Sequence, residues 1–204
     1  MNLLLTNPEL IGTNLYLFLM ATTLAILEIQ IEGAHGWAKN LPTWRPHPQN
    51  PISKIWTKIM SGKEATGYHL SMFLLVLLIF HLPYVFGLTL TLEHWIKTIS
   101  LYFMFVVLWD FLWFVLNPHW PLAKFKKEHI EIHKKWLWFA PVDYFAAITF
   151  SFLIILPVHF INPQYQLLSF WVLNFTLFVL QTLLVILFTL YILKIDKWQE
   201  NTPN

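Results

Sequence analysis

The sequence has no cysteine and few charged residues. Without cysteine the chain cannot form a disulfide, a thiolate metal site or a cysteine nucleophile. Only 12% of its 204 residues are charged, whereas 57% are hydrophobic, and it contains 18 phenylalanines and 11 tryptophans. A surface with so few charges suits lipid better than water. The net charge of +2 is small and the basic residues lie in loops, so we expect no nucleic-acid partner.

Five long apolar stretches dominate the chain. They run from Leu10 to Glu32, Gly67 to Leu92, Trp95 to Asn117, Leu137 to Phe160 and Gln166 to Lys194. Each reaches the length of about 20 residues that a helix needs to cross a bilayer. We therefore predict that residues 1–204 form one domain, an all-α integral membrane protein built as a bundle of about five transmembrane helices.

The connections between these stretches differ in charge. The first, Gly33 to Thr66, and the third, Pro118 to Trp136, carry five basic residues each, whereas the other two have only Lys97 between them. By the positive-inside rule the first and third connections are cytoplasmic. The amino terminus is then outside and the carboxyl terminus cytoplasmic, and we expect the membrane to be the bacterial inner membrane.

The first connection contains its own predicted helix. The run Leu41 to Pro51 has four prolines and cannot be helical. From Ile52 to Met60, isoleucines and a tryptophan fall on one helical face, with Lys54 and Lys58 opposite. This pattern indicates a short helix lying at the cytoplasmic interface.

Ionisable residues cluster at the predicted cytoplasmic ends of the spans, where such residues are costly and usually functional. Crowded carboxylates repel one another unless they share protons, have basic partners or bind a cation. The nearby lysines and arginines belong to loops, so we predict that a metal ion or a metal pair binds here. The predicted ligands are Glu28, Glu32, His35, His69, Asp110, His129 and His133.

Two spacings support this hypothesis. Glu28, Glu32 and His35 follow i, i+4, i+7 and are expected on one face of the first helix, where Glu32-x-x-His35 matches the unit of di-iron carboxylate bundles. His129-x-x-x-His133 would place two imidazoles on one helical face. Mixed carboxylate and imidazole ligands suit iron, manganese or zinc.

Four further residues are candidates for catalysis, as groups that orient the ligands or contact the substrate: Asn117, His119, Asp143 and Tyr144. Structural readings of the ligand candidates stay open. The two glutamates would be exposed at the headgroups if the first helix began earlier, and His129 and His133 also fit a solvated interfacial helix. His69 also fits a helix-end histidine bonded to a carbonyl.

The layout, with the Glu32/His35 and His129/His133 pairs, resembles the membrane fatty-acid hydroxylases and desaturases, although this chain lacks their His-His doublets. The resemblance implies a dinuclear iron centre, oxygen chemistry and an electron-donor protein. Asp110 with His129-x-x-x-His133 is also similar to the zinc-dependent membrane amidohydrolases that act on ceramides, which have seven spans.

The leading hypothesis is therefore a metal-dependent membrane oxidoreductase of the hydroxylase or desaturase type. It would act in lipid metabolism on a lipid or another hydrophobic small molecule at the cytoplasmic leaflet. Iron is the expected metal, with zinc or manganese as alternatives. A zinc-dependent lipid hydrolase, a proton or metal-ion transporter, a haem protein and a purely structural membrane protein are the other hypotheses.

Overall fold

The computed structural model describes residues 8–120 and 122–198, and within them the fold is mostly helical. The α-helices are α1 (Pro8–Glu32), α2 (Pro51–Ile59), α3 (Gly67–Val85), α4 (Leu92–Leu116), α5 (Val142–Leu153), α6 (Leu156–Ile161) and α7 (Leu167–Leu187). A π-helical turn, Phe188–Leu193, extends α7. Strands β1 (Trp136–Leu137) and β2 (Ala140–Pro141) pair antiparallel in a small hairpin. Short 3-10 turns occupy Leu122–Lys124, Pro163–Tyr165 and Ile195–Lys197.

Five helical segments of the described chain are long and apolar enough to cross a membrane, as predicted. They are Pro8–Glu32, Gly67–Val85, Leu92–Leu116, Val142–Ile161 and Pro163–Leu193. The predicted single domain, 1–204, includes residues outside those described, namely 1–7, 121 and 199–204, and stays a prediction.

Two predicted boundaries are wrong. The second helix ends at Val85 rather than Leu92, because the chain turns at Gly87, whose φ is +104°. The fourth begins at Val142 rather than Leu137, because the hairpin occupies the preceding residues. The chain reverses in this hairpin, and α5, which follows it, packs against α4.

Helix α4 is the centre of the bundle. It contacts α1, α3, α5 and α7. In its most apolar stretch of 18 residues, 56% of the residues are buried, against 28% or less in the corresponding stretches of the other spans. Phe105 and Leu112 are fully buried on it. A polar residue on α4 therefore meets protein on several sides, and Asp110 lies in its last two turns.

Helix α2 confirms the predicted amphipathic segment. Asn50 caps it by accepting a hydrogen bond from the N–H of Ile52 at 2.9 Å, and Pro51 occupies the first turn. Its apolar face leaves Ile52, Ile55 and Ile59 exposed. The rest of the protein does not cover this apolar face, so the face can contact lipid.

Candidate metal centre

Three buried side chains from two helices face one another at one end of the bundle. Glu28 and Glu32 stand one turn apart on α1, and His69 lies in the first turn of α3. One ligand atom from each lies within 4.8 Å of the other two, so that the three can hold one metal ion. We call them the Glu-Glu-His group.

The chain on the carboxyl side of α1 holds Glu32 in place. The helix ends at Glu32, and Gly33 has a φ of +63°, a conformation that glycine adopts without steric cost. The turn that follows keeps Trp37 and Ala38 at φ values of +48° and +51°. Such strain in non-glycine residues persists where surrounding contacts require it. Here the N–H of Ala38 donates to Oε1 of Glu32 at 2.5 Å.

His69 is held by its own helix cap. Thr66 caps α3, and its Oγ1 accepts a hydrogen bond from the N–H of His69 at 3.2 Å. The same hydroxyl lies 2.7 Å from Nδ1 of the imidazole. Trp37 stacks on the ring, with 3.8 Å between ring centroids. These contacts leave Nε2 of His69 directed at the two carboxylates.

The distances from His69 to the two glutamates are longer than those of hydrogen bonds. Nε2 of His69 lies 3.5 Å from Oε1 of Glu32 and 3.8 Å from Oε1 of Glu28, beyond the usual hydrogen-bond range. Around an ion with bonds of about 2.0–2.2 Å, neighbouring ligand atoms lie about 3–3.5 Å apart. The Glu32–His69 distance matches this range, and the Glu28–His69 distance exceeds it by about 0.3 Å. Among the described residues, neither glutamate has a lysine or arginine within salt-bridge distance. The group therefore offers three ligand atoms to one cation, provided that Glu28 moves slightly inward.

A second cluster lies next to the first and involves a lysine. Nζ of Lys63 is 3.0 Å from Oδ2 of Asp143 and 3.8 Å from Oδ1 of Asp110. The ring of His133 joins the same two carboxylates, with Nε2 at 3.1 Å from Asp110 and Nδ1 at 3.3 Å from Asp143. The hydroxyl of Tyr144 donates a short hydrogen bond to Asp110. We call these five residues the lysine network.

The lysine network balances its own charge. Burial alone lowers the pKa of His133, but the carboxylates of Asp110 and Asp143 outweigh burial and raise that pKa above its ordinary value. The raised pKa favours the imidazolium form, which together with the ammonium of Lys63 would offset the two carboxylates. Unlike the Glu-Glu-His group, this cluster requires no further cation.

The two clusters share one small cavity of about 30 Å³. The Glu-Glu-His group lines it together with Asp110 and His133 of the network. This volume is on the scale of a single water molecule. A single ion held by Glu28, Glu32 and His69 would therefore face an acid–base pair across the cavity.

The structure divides the predicted ligands into three sets. Glu28, Glu32 and His69 form the Glu-Glu-His group, Asp110 and His133 belong to the lysine network, and His35 and His129 are exposed. The prediction that His35 shares a helical face with Glu32 is wrong, because α1 ends at Glu32.

The helical spacing predicted for His129 and His133 is also wrong. Residues 127–129 form a turn, in which the N–H of His129 donates to the carbonyl of Lys126 at 3.0 Å, and an irregular segment follows. His133 is buried while His129 is exposed. The structure therefore does not bring the two imidazoles to a shared site.

Of the four residues predicted to be catalytic, two belong to the lysine network and two do not. Asp143 and Tyr144 open α5 and belong to the lysine network. Asn117 is buried at the end of α4, where its Oδ1 accepts a hydrogen bond from the N–H of His119 at 3.0 Å, and the side chain of His119 is exposed. This pair terminates the helix and lines neither cluster.

Sequence reasoning missed Lys63, which was grouped with the loop cations. Its side chain is only 3% accessible, and its ammonium also lies 4.7 Å from the ring centroid of Trp37. Before Lys63, Ser61 and Gly62 turn the chain after α2 with φ values of +52° and +100°. After this turn the lysine reaches Asp110 of α4 and Asp143 of α5.

Comparison of the chain with protein families, curated proteins and solved structures found no match. The two clusters and the space around them are therefore the features that point to a function.

Proposed function

We propose that this protein spans a membrane five times, with its amino terminus outside and its carboxyl terminus in the cytoplasm. The five apolar segments support this, as do the exposed leucines and isoleucines along them. The isoleucine face of α2 would lie in the cytoplasmic interface, with Lys54 and Lys58 toward the headgroups. Membrane lipids would then be the direct neighbours of the bundle.

We further propose that the protein is a metal-dependent enzyme. The observation that carries this proposal is that Glu28, Glu32 and His69 face one another, while no lysine or arginine of residues 8–120 and 122–198 lies within salt-bridge distance of either glutamate. Two buried, ionised carboxylates are costly unless a cation compensates their charge, and we propose a metal ion rather than shared protons as the solution here. A set of two carboxylates and one imidazole favours iron or manganese over softer ions, and we propose iron. The dinuclear centre stays a prediction, and the cavity supports one ion more directly than two.

The chemistry would depend on residues that face each other across the cavity. Iron would supply redox chemistry and zinc would supply Lewis-acid activation of water. His133 lies between two carboxylates, so it can pass a proton between Asp110 and Asp143. Tyr144 fixes the orientation of Asp110 through its hydroxyl. An oxidoreductase that receives electrons from a donor protein is the leading proposal, and a zinc hydrolase is the alternative.

A transporter is less well supported, because polar residues toward the other end of the spans, away from the two clusters, form hydrogen bonds within the protein. Nδ2 of Asn14 donates to Oδ1 of Asn174 at 2.9 Å. The hydroxyl of Ser100 donates to the carbonyl of Ser151 at 2.8 Å. These contacts hold α1 to α7 and α4 to α5, and a pathway for ions would have to break them.

The test is metal analysis of purified protein. We expect about one iron per chain, and we expect Glu32→Gln to lose most of it, because it removes one of the two carboxylate charges. Glu131→Gln is the matched control, since Glu131 is exposed and outside both clusters. A folded Glu32→Gln protein with a normal metal load would refute the metal site. Metal-independent, proton-coupled transport by the wild type would favour the transporter instead.

A further inference from the structure

A large apolar cleft leads to the lysine network. It has a volume of about 560 Å³ and lies between the end of α2, the start of α3 and the facing sides of α4 and α5. Its walls include Trp56, Tyr102, Phe103, Ala147 and Phe150. Binding sites for small molecules have volumes of about 300–1,000 Å³ and mostly apolar walls with a few polar groups. The cleft meets both criteria.

The charged groups in the lining of this cleft belong to the lysine network. Lys63, Asp110, Asp143 and Tyr144 all line it. Asp110 also lines the small cavity of the Glu-Glu-His group, as does Phe73. The Asp110 side chain keeps 32% of its surface accessible although it lies within the bundle. A molecule in the cleft would therefore reach the metal cavity at Asp110.

The charge of the network restricts what can bind at this end. Lys63 and His133 already face the carboxylates of Asp110 and Asp143. A carboxylate or phosphate on the bound molecule would add an uncompensated negative charge in a buried site, and an ammonium would add a positive one. A neutral hydroxyl has neither cost, and it can donate a hydrogen bond to a carboxylate.

We propose that this cleft binds a long-chain molecule with an uncharged hydroxyl end, with the chain along the apolar walls and the hydroxyl against Asp110. The inference rests on the proposed function in one respect, since it places that end beside the metal cavity. It names the substrate class as a neutral long-chain alcohol rather than a fatty acid or an amine.

A second groove of the bundle touches the lysine network only at Tyr144 among the residues that line it. It has a volume of about 410 Å³ and runs between α4, α5 and α7. Tyr144 and Thr182 are the polar residues of its lining, which includes no charged residue and no member of the Glu-Glu-His group. It offers no place for a reacting end near the metal cavity.

The test uses a long-chain alcohol that carries a photoreactive diazirine in its chain, added to the full protein in detergent. We expect labelling of peptides that contain Tyr102, Phe103 or Phe150. Unlabelled hexadecanol should compete at about tenfold lower concentration than hexadecanoate or hexadecylamine, because an uncompensated buried charge is costly. Equal or better competition by hexadecanoate or hexadecylamine would overturn the neutral end.

Substitutions locate the site. Ala147→Phe fills the cleft and should reduce labelling about tenfold, since overpacking opposes binding there. Ala123→Phe makes the same change at an exposed position outside the cleft and should leave labelling unchanged. Asp110→Asn, or Asp143→Asn if the first does not fold, removes one negative charge and should improve competition by hexadecanoate. Labelling that Ala147→Phe does not reduce would overturn the cleft as the binding site.

Performing the experiment with and without metal separates this inference from the proposed function. If wild-type protein binds no metal but is labelled as expected, the cleft is supported and the metal-dependent enzyme is not. If the protein binds iron through Glu32 but the cleft is not labelled, the metal centre is supported and the substrate class is wrong.

Discussion

Nζ of Lys63 lies 3.0 Å from Oδ2 of Asp143, and both side chains are largely buried. The lysine follows α2 and the aspartate opens α5, so 80 residues of sequence separate the two partners. This ion pair links the α2–α3 connection to the start of α5. Its contribution depends on His133 and Asp110, because the four groups compensate one another.

We expect Lys63→Met to destabilise the protein strongly. Removing one partner of a buried ion pair leaves an uncompensated charge and typically costs about 3–5 kcal/mol. Lys58→Met is the control, because Lys58 is exposed on α2. Thermal unfolding in detergent should show a clearly lower Tm for Lys63→Met and an unchanged Tm for Lys58→Met. Equal melting temperatures for the two variants would contradict the structural role of the network.

The five apolar helices could be predicted because membrane spans leave a strong local signal. Length and composition identify each one, and errors concentrate at the ends, as at Val85 and Val142. Those ends depend on a glycine turn and on a two-stranded hairpin, which hydropathy does not detect. The α2 helix could be predicted because its amphipathic period is also local.

The candidate site could be predicted only in part. Glu28 and Glu32 share a helix face by sequence spacing, and the depth of His69 placed it near them. His35 failed because an i+7 relation requires the helix to continue past Glu32, and the turn at Gly33 ends it. Lys63 was missed because its burial follows from packing between elements, which no sequence window contains.

The predicted topology can be tested with fusion reporters. A reporter at the carboxyl terminus should be cytoplasmic, and one inserted near Asn162, between α6 and the following turn, should be external. The reason is the ten-to-one distribution of basic residues among the connections. Reversed reporter positions would move both clusters to the outer face and would exclude a cytoplasmic electron donor.

The exposed histidines should not contribute to metal binding. We expect a His35→Ala/His129→Ala double variant to keep its metal, because both side chains are exposed and outside the Glu-Glu-His group. His69→Ala should lose it, since His69 supplies the only imidazole of the group. The measurement is the metal content of the purified double variant and of purified His69→Ala. Loss of metal in the double variant alone would favour the ligand set expected from the sequence over the one that the structure assembles.

Two threonines offer a matched test of how His69 is positioned. Thr66 and Thr91 both cap a helix, and each accepts a hydrogen bond from the N–H of a histidine three residues later, His69 and His94. Thr66 also contacts Nδ1 of its histidine at 2.7 Å, whereas Nδ1 of His94 lies 2.9 Å from the carbonyl of Thr89 instead. Of these two threonines, only Thr66 uses its hydroxyl to contact the imidazole ring.

We expect Thr66→Val to weaken metal binding by about 10–100-fold, because a lost partner to a ligating histidine has effects of that size. Thr66→Ser keeps the hydroxyl and should retain the metal. Thr91→Val loses a cap of similar geometry, at a cost of about 1 kcal/mol, and should leave metal affinity unchanged. Metal titration of chelator-treated protein measures all three variants. If Thr66→Val and Thr91→Val bound metal with the same affinity, the hydroxyl of Thr66 would have only a capping role.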